Sequence, residues 1–115
     1  MSASLQARAN KLGDALRAAL REAMRKTGAP GTVYGECSIY HVSFEGTPGL
    51  AGFDRPRRGD LYSLLRCALI NNGVDCSSHH GWISAVHGDE DVALTVTAYE
   101  RAFAAMAAEG AFAPR

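Results

Sequence analysis

The sequence predicts a small α+β domain: a mainly antiparallel sheet with helices packed on one face, in the order α-β-β-α-β-α. Three observations predict it. Apolar residues recur at helical spacing in three separate stretches. Short runs rich in β-branched and aromatic residues lie between them. Gly, Pro, Asn and Asp punctuate the connections. The 115 residues make one domain, 1–115.

The first helix is read from Leu5, Leu12, Leu16, Leu20 and Met24, with Ala9, Ala19 and Ala23 filling in. Lys26, Gly28 and Pro30 mark its end: a cation in the last turn, Gly at the cap, Pro beyond. It begins almost at Met1, as in a chain cut inside or just before a long helix. Arg8, Lys11, Arg17, Arg21, Arg25 and Lys26 make it basic. These charges read as a solvated face balanced by Asp14 and Glu22, since no aromatics interleave as single-strand binders need.

Thr32 to Tyr34 and Ser38 to Phe44 read as strands. In the second, Tyr40, Val42 and Phe44 alternate with Ile39, His41 and Ser43, a half-buried pattern that leaves His41 in solvent. Gly35 fits a bulge or a tight connection. Glu45 to Gly59 is loop, too dense in Gly and Pro for regular structure. Its Arg55, Arg57 and Arg58 have the chemistry to clamp an anion, but read first as a basic loop paired with nearby acids. Asp60 is a suitable N-cap for a second helix with the stripe Leu61, Leu64, Leu65, Ala68 and Leu69. Asn71-Asn72-Gly73 ends it with a left-handed cap. Val74 starts one short extended piece and Trp82 to Ala85 another. Gly88 or Asp89 then opens a third helix with acidic residues in its first turn. Its core stripe is Val92, Val96, Tyr99, Phe103 and Met106.

Formal net charge is zero, which gives no whole-molecule attraction to nucleic acid or an anionic membrane. No apolar run approaches the ~20 residues that span a bilayer, and the first residues lack the apolar region of a secretory signal. Cys37, Cys67 and Cys76 are odd in number and show no C-x-x-C spacing, so a reducing, cytoplasmic setting is expected. Neither nucleic acid nor membrane is an expected partner.

Cys76, His79, His80 and His87 are metal-ligand types, but their spacing matches no common finger, and no metal is expected. A small metal-dependent hydrolase using His79, His80 and His87 would need stoichiometric bound metal. Ser84 or Cys76 with His87 would suit nucleophilic catalysis, but no G-x-S-x-G elbow accompanies them. Trp82 reads as a packing residue.

One stretch suggests a family. Asn72-Gly73-Val74, then Ser84, His87 and Asp91 in the pattern Ser-x-x-His-x-x-x-Asp opening a final helix, resembles the C-terminal region of class III aminotransferases. The nearest likeness is to glutamate-1-semialdehyde 2,1-aminomutase and its relatives. Cys37-Ser38-Ile39-Tyr40 looks like their Gly-Ser-Met-Phe strand, with Cys37 in place of the Gly. Leu12-Gly13 and Leu16 look like the helix joining the large domain to the small one. The loop Ser77-Ser78-His79-His80-Gly81-Trp82 is shorter than the aminomutase version and lacks its Pro-Ser and Glu.

The resemblance implies a fold-type-I enzyme that uses pyridoxal 5'-phosphate (PLP) and acts, usually as a homodimer, on amino acids and keto or aldehyde groups. This chain would be its small C-terminal domain, completing the active-site cleft and packing against the large PLP-binding domain. The Schiff-base lysine, the aspartate facing the pyridine nitrogen and the phosphate-binding loop lie, in that family, before this region. The chain's lysines are Lys11 and Lys26, both in the first helix. No catalytic residue, bound PLP or activity is therefore expected of the chain alone. The same likeness places Ser38, Tyr40, His80 and Trp82 at the edge of the substrate cleft and makes Ser84, His87 and Asp91 a structural turn and cap. The alternative is a free-standing α+β module that dimerises through apolar helix faces, without catalysis.

Overall fold

The spacing of Leu12, Leu16, Leu20 and Met24 becomes one face of a 25-residue helix, α1 (Ala3–Thr27), and all four side chains are buried. The chain was analysed as a computed structural model, which describes residues 3–49, 58–76 and 80–113. Leu5 falls on the same stripe but is 43% exposed.

After α1 come β1 (Thr32–Tyr34) and β2 (Ile39–Ser43), then α2 (Gly59–Asn71), β3 (His80–Trp82) and α3 (Asp89–Ala108). The three strands form one antiparallel sheet in the order β1-β2-β3. Val33 pairs with Val42, and Tyr40 pairs with Gly81. The expected element order and class hold.

Each helix ends in the same way. Gly28, Gly73 and Gly110 all have positive φ, and the next residue's amide bonds back to Met24, Leu69 or Met106. This closing turn satisfies carbonyls that a helix end leaves unpaired. The Asn71-Asn72-Gly73 signal is thus realised at Gly73. Asp60, in contrast, does not cap α2: Arg58 holds the cap position, and its guanidinium pairs with the Asp60 carboxylate at 2.9 and 3.0 Å.

The core lies between the helices and one face of the sheet. Leu16, Leu20, Leu65, Leu69, Tyr99 and Phe103 are fully buried, each contributing roughly 1.5–3 kcal/mol by leaving water. Val33, Tyr40 and Val42 supply the sheet's side of it. On α2 the buried stripe is Leu61, Tyr62, Leu65 and Leu69, while Leu64 is 41% exposed. On α3, Val92 and Val96 are half-buried and the tight packing starts at Ala98.

Two of the six α1 cations turn onto backbone carbonyls. The Arg17 side chain is buried and donates to the carbonyls of Cys37 and Ile39 at 2.8 and 2.7 Å, with its other nitrogen on Asp14. Arg21 Nε donates to the Val33 carbonyl at 2.8 Å. Both hold backbone carbonyls of the β1–β2 hairpin, so the basic face read from the sequence is in part a strap across that hairpin. Gly35 lies within the hairpin's tight connection, the second of the two expected readings.

The opposite sheet face carries a row of rings. Tyr34 stacks on His41 at 4.7 Å, His41 lies 5.6 Å from His80, and His80 meets Trp82 edge-on at 5.2 Å. His41 is therefore half-buried between rings rather than free in solvent, and burial together with His80 holds its pKa below the usual value.

Candidate functional site

β3 brings the site together. The expected strand at Trp82 to Ala85 lies two residues earlier, at His80–Trp82, and Val74 is in no strand. The reason is pairing: Ile39 opposes Trp82 and His41 opposes His80, while Ile83 N donates to Ser38 O at 2.8 Å just beyond the ladder. Gly81 is required at its place. A Cβ there would sit 2.8 Å from the ring and hydroxyl of Tyr40, which crosses beneath it.

A pocket of about 340 Å³ opens beside β3. Tyr40, His80, Trp82 and His87 line it together with Asp75, Cys76, Asp91 and Thr95. Three of the four expected cleft residues thus share one cavity. Ser38 does not line it and contributes its carbonyl to the strand edge. Trp82, read as packing, is 62% exposed.

Tyr40 forms the pocket floor and reaches into the core. Its hydroxyl accepts from Tyr99 Oη at 3.3 Å, and Tyr99 Oη lies 3.6 Å from the Cys76 sulfur. Burial pushes Tyr40 up to about 12, with the Cys76 thiol adding to the rise, and pushes Tyr99 further in the same direction. Tyr62, whose hydroxyl donates to Glu45 and accepts from the Phe44 amide, is also raised to about 12, chiefly by burial. These groups hold their protons more tightly folded than unfolded, where a tyrosine titrates near ~10. Their contribution to stability is complete below that pH and is lost as pH rises towards about 12. Absorbance titration at 295 nm is expected to show these phenols ionising only with alkaline unfolding; free ionisation near pH 10 with the fold intact would contradict their burial.

The Ser-x-x-His-x-x-x-Asp segment forms local structure. Ser84 N donates to His87 Nδ1 at 2.9 Å, closer than the 3.3 Å from that nitrogen to Ser84 Oγ. The amide occupies the lone pair that a base would need, so the pair is not set up to activate the hydroxyl. Asp91 Oδ2 accepts the Gly88 amide at 2.8 Å, and Asp91 N donates to Gly88 O at 3.1 Å, closing the first turn of α3. Arg8 reaches the His87 carbonyl at 3.4 Å and ties this turn to α1.

Of the other candidates, His79, Arg55 and Arg57 lie outside the described residues, and Arg58 is committed to Asp60 and, through its amide, to Glu45. Among the described residues no group of three His, Cys, Asp or Glu is placed to hold a metal ion. Asp75, Thr95 and Tyr99 were not legible as site residues, nor was the link from Tyr40 through Tyr99 to Cys76. Gly81 was the one local signal, since a glycine within a strand often marks close approach by another group.

No protein-family profile and no curated protein matches the chain. Solved structures do. A transaminase with PLP bound matches with a TM-score of 0.80 at 23% sequence identity, over 96% of this chain and 26% of that one. An omega-transaminase from Sphaerobacter thermophilus matches with a TM-score of 0.75 at 26% identity, over 89% of this chain and 24% of that one. The chain therefore spans about a quarter of the length of these enzymes and has the fold of one part of a transaminase.

Proposed function

We propose that this chain is the small C-terminal domain of a class III, PLP-dependent aminotransferase, of the kind that includes glutamate-1-semialdehyde aminomutase. The fold match over 96% and 89% of the chain carries this reading. The Ser84, His87 and Asp91 turn and the convergence of Tyr40, His80 and Trp82 on one cavity support it.

The residues described do not fit PLP by themselves. Lys11 and Lys26 are exposed on α1, and neither lysine nor arginine lines the pocket, so an aldehyde and a phosphate would find no fitted partner there. The cofactor and its lysine belong, in this reading, to a separate large domain. This chain supplies a wall of the substrate cleft and an interface. The ring row from Tyr34 to Trp82 is the surface we assign to the large domain, because Trp82 and His80 belong both to that face and to the pocket. Seating a partner there would place the pocket at the seam between the two.

Sequencing the reading frame upstream of Met1 tests this. An in-frame α/β domain with a lysine ending a strand is expected. A stop codon close upstream, next to a ribosome-binding site, would overturn it. Incubating the 115-residue chain with PLP and borohydride is expected to label no lysine stoichiometrically. A single fully labelled lysine would refute the assignment of the cofactor to another domain.

A further inference from the structure

The pocket's lining has a consistent chemistry. Two carboxylates, Asp75 and Asp91, and the rings of Tyr40, His80 and Trp82 face one space of about 340 Å³. No Arg or Lys is among its described lining residues. Two cations stand at its edge, both outside the lining: Arg8, turned onto the His87 carbonyl at 3.4 Å, and Arg66, 3.9 Å from Asp75 with both side chains largely in water, a weak and screened pair. The positive end of α3 also points this way, but Asp89, Glu90 and Asp91 fill its first turn and reverse the local sign.

Carboxylates attract an ammonium group, and the faces of Trp and Tyr attract it again through the ring quadrupole. A carboxylate ligand would meet repulsion from both sources and no cation among the described lining residues. We infer that this pocket takes the ammonium end of an organic cation, and that Asp75 and Trp82 set that preference. The role in a substrate cleft rests on the aminotransferase reading. Within it, the group that reaches this wall is the free amine of a diamine or amino-bearing substrate, not a distal carboxylate. The binding preference itself belongs to this chain and needs no cofactor to be observed.

Trp82 is the only tryptophan, so its emission and its indole amide resonance both report on the pocket. The test titrates the 115-residue chain with n-pentylammonium chloride and, separately, with sodium pentanoate, at matched ionic strength. The expected result is millimolar, saturable binding of the ammonium, with resonance shifts at Trp82, Val74 and Thr95, and no saturable shift with pentanoate. Asp75→Asn is expected to weaken the ammonium by about threefold, the scale of one exposed charge contact. Trp82→Leu, followed at Val74 and Thr95, is expected to weaken it comparably. Equal binding of pentanoate, no binding of the ammonium, or unchanged affinity in both variants would overturn the inference. None of those results bears on the aminotransferase reading, which the upstream frame decides.

Discussion

Replacing Arg17 with methionine is expected to cost about 3 kcal/mol of folding stability. Methionine keeps much of the stem's volume, so packing is nearly retained and the loss is polar. The guanidinium bonds the Cys37 and Ile39 carbonyls at 2.8 and 2.7 Å from a site where its own exposure is 5%. Bonds to a charged donor are worth roughly 1.5–3 kcal/mol each, and the carbonyls left behind in a part-buried position recover only some of that from water. Total stability for a domain of this size is about 5–15 kcal/mol, so the variant loses a large share. Urea denaturation measures it. Arg17→Lys is expected to recover about half, since an ammonium lacks the fork that reaches two carbonyls at once. A loss below about 0.5 kcal/mol in Arg17→Met would mean that the strap carries no weight.

Gly31→Ala is the second large effect, expected near 3 kcal/mol or more. Gly31 has φ +100, and a Cβ there would lie 1.9 Å from Ser43 O and 2.7 Å from Phe44 Cα. Both obstacles are backbone at the end of β2, so no side chain can swing aside. Relief requires prying the start of β1 from β2, which would break the Thr32 to Ser43 pairing. Gly28→Ala provides the comparison. Gly28 also has positive φ, at 76°, but nothing lies within 4 Å of its added Cβ. That variant should lose only about 1 kcal/mol, the conformational cost alone. Similar midpoints in urea for the two variants would show that the contact with β2 is not what fixes glycine at 31.

The three helices were legible because a 3.6-residue period persists over several turns and Gly closes each one. The hairpin was legible from the alternation around Tyr40, Val42 and Phe44. β3 was misplaced because three residues with a central Gly carry no alternation; its position is set by β2, nearly forty residues away in sequence. Asp60 was misread because α2 already starts at Gly59, which leaves Asp60 inside the first turn with its carboxylate on Arg58. Arg17 and Arg21 look like Lys11 and Arg25 in sequence, because spacing on a helix does not show which long side chains fold back onto carbonyls. The pocket was half legible. A family likeness pointed to Tyr40, His80 and Trp82, whereas Asp75, Cys76 and Thr95 join them only through tertiary packing.

The close approach of Gly81 to Tyr40 has a consequence for how this pocket can change over generations. Tyr40 is at once floor of the cavity, partner of Tyr99 in the core, and the reason that residue 81 carries no side chain. A change in the pocket's shape would therefore act on residues that also hold the domain together. Variation is tolerated best at Asp75, whose side chain is largely in water and outside the core cluster. Homologous chains are expected to differ more often at Asp75 than at residues 40, 81 and 99, which change together or not at all.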